Sequence, residues 1–344
     1  MMTGITAFIL RRLIQAIPTF FGITILAFTI MVLAPGDPIA ILTFDPNTKP
    51  EERERLAELY GVNDPLPVQY MRWLVGDNWR QFDTDGDGEP DTRGESRGIL
   101  RGDFGESFIS QRSPISLIVE RLPATIELNI AVLVVSIPLG VVIGVVAARM
   151  RGTWFDQSSR VLAVVGDAVP GFWLAFLLIL LLGRYLDLLP MGGRCAPTRG
   201  GCPPIFQRLE YIILPVAVSA LGGISGWSRF MRASMLETIN SDYIRTAQAK
   251  GVASTRVWFH HAMRNAIIPL ATFLGPVFVS LLGGAVIIET IFAWPGVGRL
   301  LLQSVTSQDY PVIMASVVIG SMLTILGYLI SDVLYAVFDP RIRL

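Results

Sequence analysis

An all-α integral membrane protein, with about six transmembrane helices and a large extracytoplasmic insertion after the first, is the fold class this sequence predicts. Two observations carry that prediction. Of the 344 residues 52% are hydrophobic and 16% charged, which is more apolar surface than a soluble domain of this length can bury. The apolar residues also gather into runs long enough to cross a hydrocarbon core, a crossing that takes roughly 20 residues of helix.

The qualifying runs are residues 13–34, 125–148, 161–183, 211–227, 266–288 and 312–337. The first follows Arg11 and Arg12, is too long for a signal peptide and has no small-x-small cleavage site behind it, so it is expected to stay as a signal anchor. The fourth is the shortest and holds Pro215, Gly222, Gly223 and Gly226, a composition tolerated where neighbouring helices re-satisfy the backbone. The four-residue spacing of Gly222 and Gly226 predicts close approach of a second helix.

Orientation follows from the short loops. Arg11, Arg12, Arg149, Arg151, Arg229, Arg232, Arg245, Lys250, Arg256, Arg264, Arg341 and Arg343 fall on one side if there are six spans. Both termini are therefore expected in the cytoplasm of a multi-pass inner-membrane protein. Residues 1–34 then form the N-terminal segment and first span, 35–122 an extracytoplasmic segment, and 123–344 the core with a cytoplasmic loop at 231–265. Residues 35–121 hold seventeen Asp and Glu against ten Lys and Arg, an acidity compatible with a translocated segment. Within it, residues 50–60 read as a short surface helix, with Glu51, Glu52 and Glu54 in its first turn and Gly61 as terminator. Residues 76–98 read as a surface loop.

Net formal charge is zero and no basic run appears, so nucleic acid is excluded as a partner; membrane lipid is the solvent. Cys195 and Cys202 lack the further Cys or His ligands of a zinc site. They read as a disulfide in an oxidising compartment, or else as two free thiols. Asp83, Asp85, Asp87 and Asp91 alternate around a glycine at the sixth position. That spacing wraps oxygen ligands around Ca2+, although Gly94 stands where an EF-hand needs its last acid; the alternative is a solvated acidic loop.

Charged residues inside apolar spans call for a functional account. Asp167 either lines a pathway or pairs with Arg160, and Glu289 is a second pathway candidate. Glu289 and Asp332 lie near span ends, where snorkelling or a pair with a neighbouring subunit also serves; Glu127 is open in the same way. Trp294, Pro295 and Gly296 read as an external gate or an interfacial anchor. His260 and His261 are the only histidines and share one loop, so no nucleophile and base or metal constellation points to a membrane enzyme. A transporter working alone predicts internal repeats or deep charge, and the sequence shows no clear repeat.

The cytoplasmic loop reads Asn240-Ser-Asp-Tyr-Ile-Arg-Thr-Ala-Gln-Ala-Lys-Gly251, with Arg264-Asn-Ala-Ile-Ile-Pro269 downstream. This resembles the conserved loop of binding-protein-dependent ABC importer permeases. The superfamily pattern begins Glu-Ala-Ala, whereas Arg245-Thr246-Ala247 matches only its last residue; that form looks like the oligopeptide, dipeptide and nickel branch. Ala34-Pro-Gly-Asp-Pro38, Gly61-Val-Asn-Asp-Pro-Leu-Pro67, Gly102-Asp-Phe-Gly105, Leu122-Pro-Ala-Thr-Ile-Glu-Leu128, Glu289-Thr-Ile-Phe-Ala-Trp-Pro-Gly-Val-Gly-Arg299 and Asp339-Pro-Arg-Ile-Arg343 point the same way and look like its B-type subunit.

The resemblance implies a permease without catalysis of its own and with no intrinsic cofactor, working with a C-type permease, two ATPase subunits that hold ATP and Mg2+, and an extracytoplasmic solute-binding protein. A peptide is the solute implied first, with chelated nickel or an oligosaccharide as alternatives. It implies that Asp242, Tyr243, Arg245, Thr246, Ala247, Ala249, Lys250 and Gly251 form the joint to an ATPase. No phosphate-binding loop of the Gly-x-x-x-x-Gly-Lys-Ser/Thr form occurs in the chain.

Overall fold

A computed structural model describes residues 5–34, 61–82, 92–94, 96–196 and 201–338. The expected surface helix at 50–60, the acids Asp83, Asp85, Asp87 and Asp91, and the ending 339–344 lie outside the described residues.

The elements are α1 (Ile5–Leu33), α2 (Leu66–Val75), a two-residue antiparallel pair β1 (Gln81–Phe82) and β2 (Thr92–Arg93), α3 (Pro114–Arg149) and α4 (Trp154–Ala168). There follow α5 (Gly171–Leu178), which widens into a π-helix over Ile179–Tyr185, α6 (Leu209–Ile239) and α7 (Asp242–Ala249). Short helical pieces fill 254–273, and α8 (Leu274–Gly283), α9 (Val286–Ile291), α10 (Val297–Thr306) and α11 (Tyr310–Phe338) complete the chain. Four of these are long and apolar enough to cross a membrane, over Ile9–Leu33, Pro114–Arg149, Leu209–Ile239 and Tyr310–Val333. Two bent pairs bring the number to as many as six if each pair is one span.

The third span is therefore not one rod. Pro170 lacks an N–H and disfavours helix at Val169, whose ψ of 119° is extended, and the halves on either side meet at 93°. The fifth span is interrupted as well, with a 3-10 turn over Ile268–Phe273 and a break at Gly284, where φ is +75°. The fourth, by contrast, runs far beyond its apolar stretch. Arg229 and Arg232 extend α6 because acidic partners on α4 neutralise them.

Two compact units emerge, one of residues 1–12, 121–299 and 323–344, the other of 13–120 and 300–322. In the first, α6 is the spine. Ile212, Val216 and Ala220 pack with Ala124, Leu128 and Trp294, while Leu214 and Val218 pack with Ala175 and Phe292. Farther along, Met231 and Met235 join Val145, Ala148, Ile244, Val257, Ala262 and Ala266.

Close helix approach in this unit uses other glycines than the spacing predicts. A Cβ on Gly140 would lie 2.5 Å from the Trp227 Cβ, and one on Gly144 would lie 2.7 Å from both the Met231 Cβ and the Ser228 carbonyl. Gly275 meets the Gly327 carbonyl in the same manner. Gly222 and Gly226 have nothing within 4 Å of that position.

In the second unit Phe28, Tyr70 and Trp73 form a triangle of rings, and Thr24 and Tyr70 share a hydrogen bond of 3.0 Å. α2 starts behind Pro65 with Pro67 in its first turn, where a missing N–H costs nothing. Arg72, nearly buried, donates to Asp64 at 3.1 Å and Asp77 at 3.0 Å, and Arg80 donates to Asp64 at 2.8 Å. Asp309, just before α11, accepts from the Ser107 hydroxyl at 2.5 Å and the Phe108 N–H at 3.1 Å.

Gly144→Ala is expected to destabilise the protein by about 1–3 kcal/mol through overpacking, whereas Gly222→Ala does not lower stability; thermal unfolding in lipid nanodiscs compares them. Burial pushes the Asp64 carboxyl up, but the guanidinium groups of Arg80 and Arg72 outweigh it and hold its pKa below the ordinary value. A depressed carboxylate contributes stability that is complete above its unfolded pKa and is lost as pH falls through the folded one. Acid should therefore loosen α2, read as Trp73 fluorescence falling below the usual carboxylate range, and Asp64→Asn should remove that step.

Candidate functional site

Residues 240–251 form a short, capped helix that stands out from the end of α6. Asn240 and Ser241 leave the helical path, Ser241 at φ −74° and ψ 154°, and α7 starts with Asp242, an acid at the positive end of the dipole. Its one buried side chain, Ile244, is fully enclosed by Met231, Met235, Val257, Ala262 and Ala266, and Ala247 packs at the edge of that cluster. Asp242, Arg245, Thr246, Ala249 and Lys250 are exposed. The Tyr243 hydroxyl accepts from Asn265 at 2.9 Å, which ties α7 to the segment leading toward α8.

The end of α7 explains Gly251. The Val252 N–H donates to the Ala247 carbonyl at 3.2 Å and the Gly251 N–H to Gln248 at 2.9 Å, the paired bonds of a Schellman end. This requires a left-handed residue, and Gly251 has φ +75°. The helix therefore stops at Ala249, and the next helical residue is Ser254. Ala247 packs against the Ile244 cluster, and Ala249 is exposed.

The charged candidates find partners that sequence reasoning did not foresee. Asp167 is bonded to Arg229, not to Arg160. Arg160 instead lies 3.7 Å from Asp156, whose carboxylate takes two bonds from Arg232 at 2.6 and 2.8 Å and one from the Gly152 N–H at 3.0 Å. Asp332 pairs with Arg12 of its own chain at 2.9 Å. Glu127 accepts from Arg194 at 3.1 Å and Arg208 at 2.7 Å, and Arg208, almost wholly buried, also donates to the Pro203 and Arg194 carbonyls. These arginines flank Cys195 and Cys202, which are joined as a disulfide with Cα atoms 5.6 Å apart.

Glu289 faces neither a pathway nor the membrane interface; it is fully buried. Its carboxylate accepts from the Thr125 hydroxyl at 2.9 Å, the Ala285 N–H at 3.3 Å and the Arg299 N–H at 2.9 Å, while Thr125 accepts from the Val297 N–H at 2.8 Å. Two of these donors open α10, so the carboxylate sits at a helix N-terminus that favours negative charge. Gly296 and Gly298 leave the room: a Cβ on Gly296 would stand 2.3 Å from the carboxyl carbon. Trp294 is likewise no gate or interfacial anchor. It is fully buried and donates from Nε1 to the Ala124 carbonyl at 2.8 Å.

Thr125, Asp156, Arg194, Arg208 and Arg232 are the residues that sequence reasoning missed. Thr125 and Glu289 both stand in stretches that carried the resemblance, but 164 residues separate them and nothing in the spacing pairs them. Glu289→Gln keeps the shape and turns one acceptor into a donor that faces N–H and O–H groups. It should destabilise the 285–299 turn by about 1–3 kcal/mol, read as faster proteolysis there and lower thermal stability, with Glu289→Asp only partly tolerated.

Comparison with known proteins identifies the family. The family model described as the binding-protein-dependent transport system inner membrane component matches residues 140–344, and the model of its N-terminal part matches 5–129. The chain is 39% identical over 338 residues to the oligopeptide transport system permease protein AppB of Bacillus subtilis, covering 98% of this chain and 99% of that one. It is 35% identical over 355 residues to the dipeptide transport system permease protein DppB of Escherichia coli, covering 98% of each. Among solved structures, a chain of the inward-facing MetNI methionine ABC transporter aligns with 65% of this chain and 97% of its own at 17% identity and a TM-score of 0.46. The chain belongs to the binding-protein-dependent transport system inner-membrane family, the membrane permeases of ABC importers.

Proposed function

We propose that this permease carries peptides inward, as one half of a heteromeric channel whose other half is a C-type permease. Two ATPase subunits supply the energy from ATP and Mg2+, and an extracytoplasmic binding protein delivers the solute. Both termini and α7 then lie on the cytoplasmic side, where α7 is the joint to one ATPase. The names of the relatives, which match over nearly the whole chain, support the peptide. The observation that carries the joint is the two-faced build of α7, with Ile244 locked into the cluster at the end of α6 and with Asp242, Arg245 and Lys250 left outward.

A load on the outer face of α7 is passed to α6 through Ile244 and to the following segment through the bond between Tyr243 and Asn265. Transport needs such an element, with two positions that both ATP and solute bias. The ATPases close with ATP bound, α7 moves with them, and α6 tilts.

Affinity purification from native membranes, followed by ATP hydrolysis with and without a peptide-loaded binding protein, tests the reading. A second permease and two ATPases should co-purify, and peptide should stimulate hydrolysis. Gly251→Pro should abolish the stimulation, because proline can neither adopt φ +75° nor donate to Gln248. Ile244→Ala should weaken it by loosening the α7 contact by about 2–4 kcal/mol. A chain that purifies alone and moves solute without ATP would overturn the importer reading.

A further inference from the structure

We propose that the Cys195–Cys202 disulfide is a redox-sensitive clasp: oxidised, it keeps Arg194 and Arg208 on Glu127 and so fixes the start of α6 to α3; reduced, it releases them and lowers transport. The effect on transport rests on the importer reading above; the fastening does not.

The groups around the two sulfurs build the fastening. Arg208 immediately precedes α6 and is only 5% exposed. Its guanidinium donates from Nε to the Pro203 carbonyl at 2.7 Å, from Nη1 to the Arg194 carbonyl at 3.0 Å and from Nη2 to Glu127 at 2.7 Å. Arg194 is the residue before Cys195, and Pro203 is the residue after Cys202. The disulfide, with Cα atoms 5.6 Å apart, therefore holds together the two carbonyls that share one guanidinium. When these two segments part, a nearly buried cation loses two acceptors, and the cost of unmet donors drives it from its place on Glu127. Arg194 goes with it. Its own side chain donates to Glu127 at 3.1 Å, and the preceding Gly193 N–H donates to the Phe292 carbonyl at 2.7 Å. A Cβ on Gly192 would stand 2.7 Å from that carbonyl, so the chain before Cys195 lies close against the turn that ends α9.

Three features make this disulfide a switch rather than a staple of the fold. Cys202 is exposed and Cys195 half-buried, so a thiol reaches the bond, and exposed disulfides are the reducible ones. The cysteines are seven residues apart, and closing so short a loop restricts the unfolded chain less than closing a long one. The buried cluster of Ala124, Leu128, Ile212, Val216, Ala220 and Trp294 joins α3 to α6 and contains neither cysteine. Reduction therefore leaves the apolar contact in place and removes the polar one. What is lost is the fixing at the start of α6, the end against which a displacement arriving from α7 has to push.

An extracytoplasmic dithiol is the reductant. One of its thiolates attacks the exposed Cys202 sulfur and displaces Cys195 as a thiolate, which takes up a proton. Its second thiol then displaces Cys202 from the mixed disulfide. Two electrons and two protons pass to the chain, and the reductant leaves as a disulfide.

Two measurements on the assembled complex in nanodiscs, oxidised or treated with dithiothreitol, decide the matter. On reduction, hydrogen–deuterium exchange should quicken about tenfold at the Gly193 amide and over residues 209–214, and stay unchanged around Met231 and Met235. ATP hydrolysis stimulated by the peptide-loaded binding protein should fall severalfold. A complex carrying Cys195→Ser with Cys202→Ser should match the reduced wild type in both readouts and respond no further to dithiothreitol, which excludes an effect on cysteines of the other subunits. Glu127→Gln, which removes the anchor and leaves the disulfide, should lower stimulated hydrolysis in the same way. Exchange that reduction leaves unchanged would overturn the clasp. Faster exchange around Met231 as well would mark a staple of the whole fold and overturn the switch. A loosened start of α6 with hydrolysis undiminished would overturn the effect on transport. An oxidised wild-type complex without stimulated hydrolysis would overturn the importer reading, and the exchange result, which needs no solute, would still decide the clasp.

Discussion

The continuity of α6 is the constraint on which the first unit depends. Its 31 residues run roughly 46 Å without a break, although Pro215 and three glycines lie within them. Each of those glycines gives up about 1 kcal/mol of helix propensity relative to alanine, and packing makes good the loss. At one end α6 is gripped by Trp294 and Phe292; at the other, Met231 and Met235 enclose Ile244. A stiff helix anchored at both ends transmits displacement where a hinged one absorbs it. The bend at Pro170 and the interruptions of the fifth span put the flexible joints in its neighbours instead.

The treatment of charge follows from the same solvent. Four acids within or beside the spans of the first unit are matched inside that unit: Asp156 by Arg232, Asp167 by Arg229, Glu127 by Arg194 and Arg208, Asp332 by Arg12. Glu289 is matched differently, by N–H and O–H donors at the start of a helix, because its site is too tight for a guanidinium. Removing Arg232 deprives the buried Asp156 carboxylate of two bonds, which costs far more than the pair contributes. The pairs on α4 and α6 also act as spacers, fixing how those helices lie against each other.

Composition and run length were enough to read the number of spans, because the bilayer allows only helices of one length scale or closed barrels. The loop from Asn240 to Gly251 was legible for a different reason: the end of a helix writes its geometry into a glycine, and Gly251 has the positive φ expected of it. Pairings were not legible. Asp167 and Arg229 are 62 residues apart, and the sequence offers Arg160, which lies beside Asp156 instead, as the alternative partner of Asp167, since proximity in sequence is a poor guide once two helices lie side by side. The glycine spacing misled in the same way. Gly222 and Gly226 have the right separation but, among the described residues, nothing within 4 Å of an added Cβ, while Gly140 and Gly144 have the same separation on a face that meets α6.

That last contrast separates two uses of one residue. Gly144 is present for its size, since a Cβ there enters the space of Met231 and Ser228. Gly251 is present for its handedness: nothing lies within 4 Å of the added carbon, and only the sign of φ excludes an L-residue. A D-alanine built in by chemical ligation would therefore suit the positive φ at the end of α7 and would be disfavoured by its handedness within the right-handed helix α3. Mirror-image substitution thus sorts the glycines of a membrane helix bundle into those that clear a path for a neighbour and those that turn the chain.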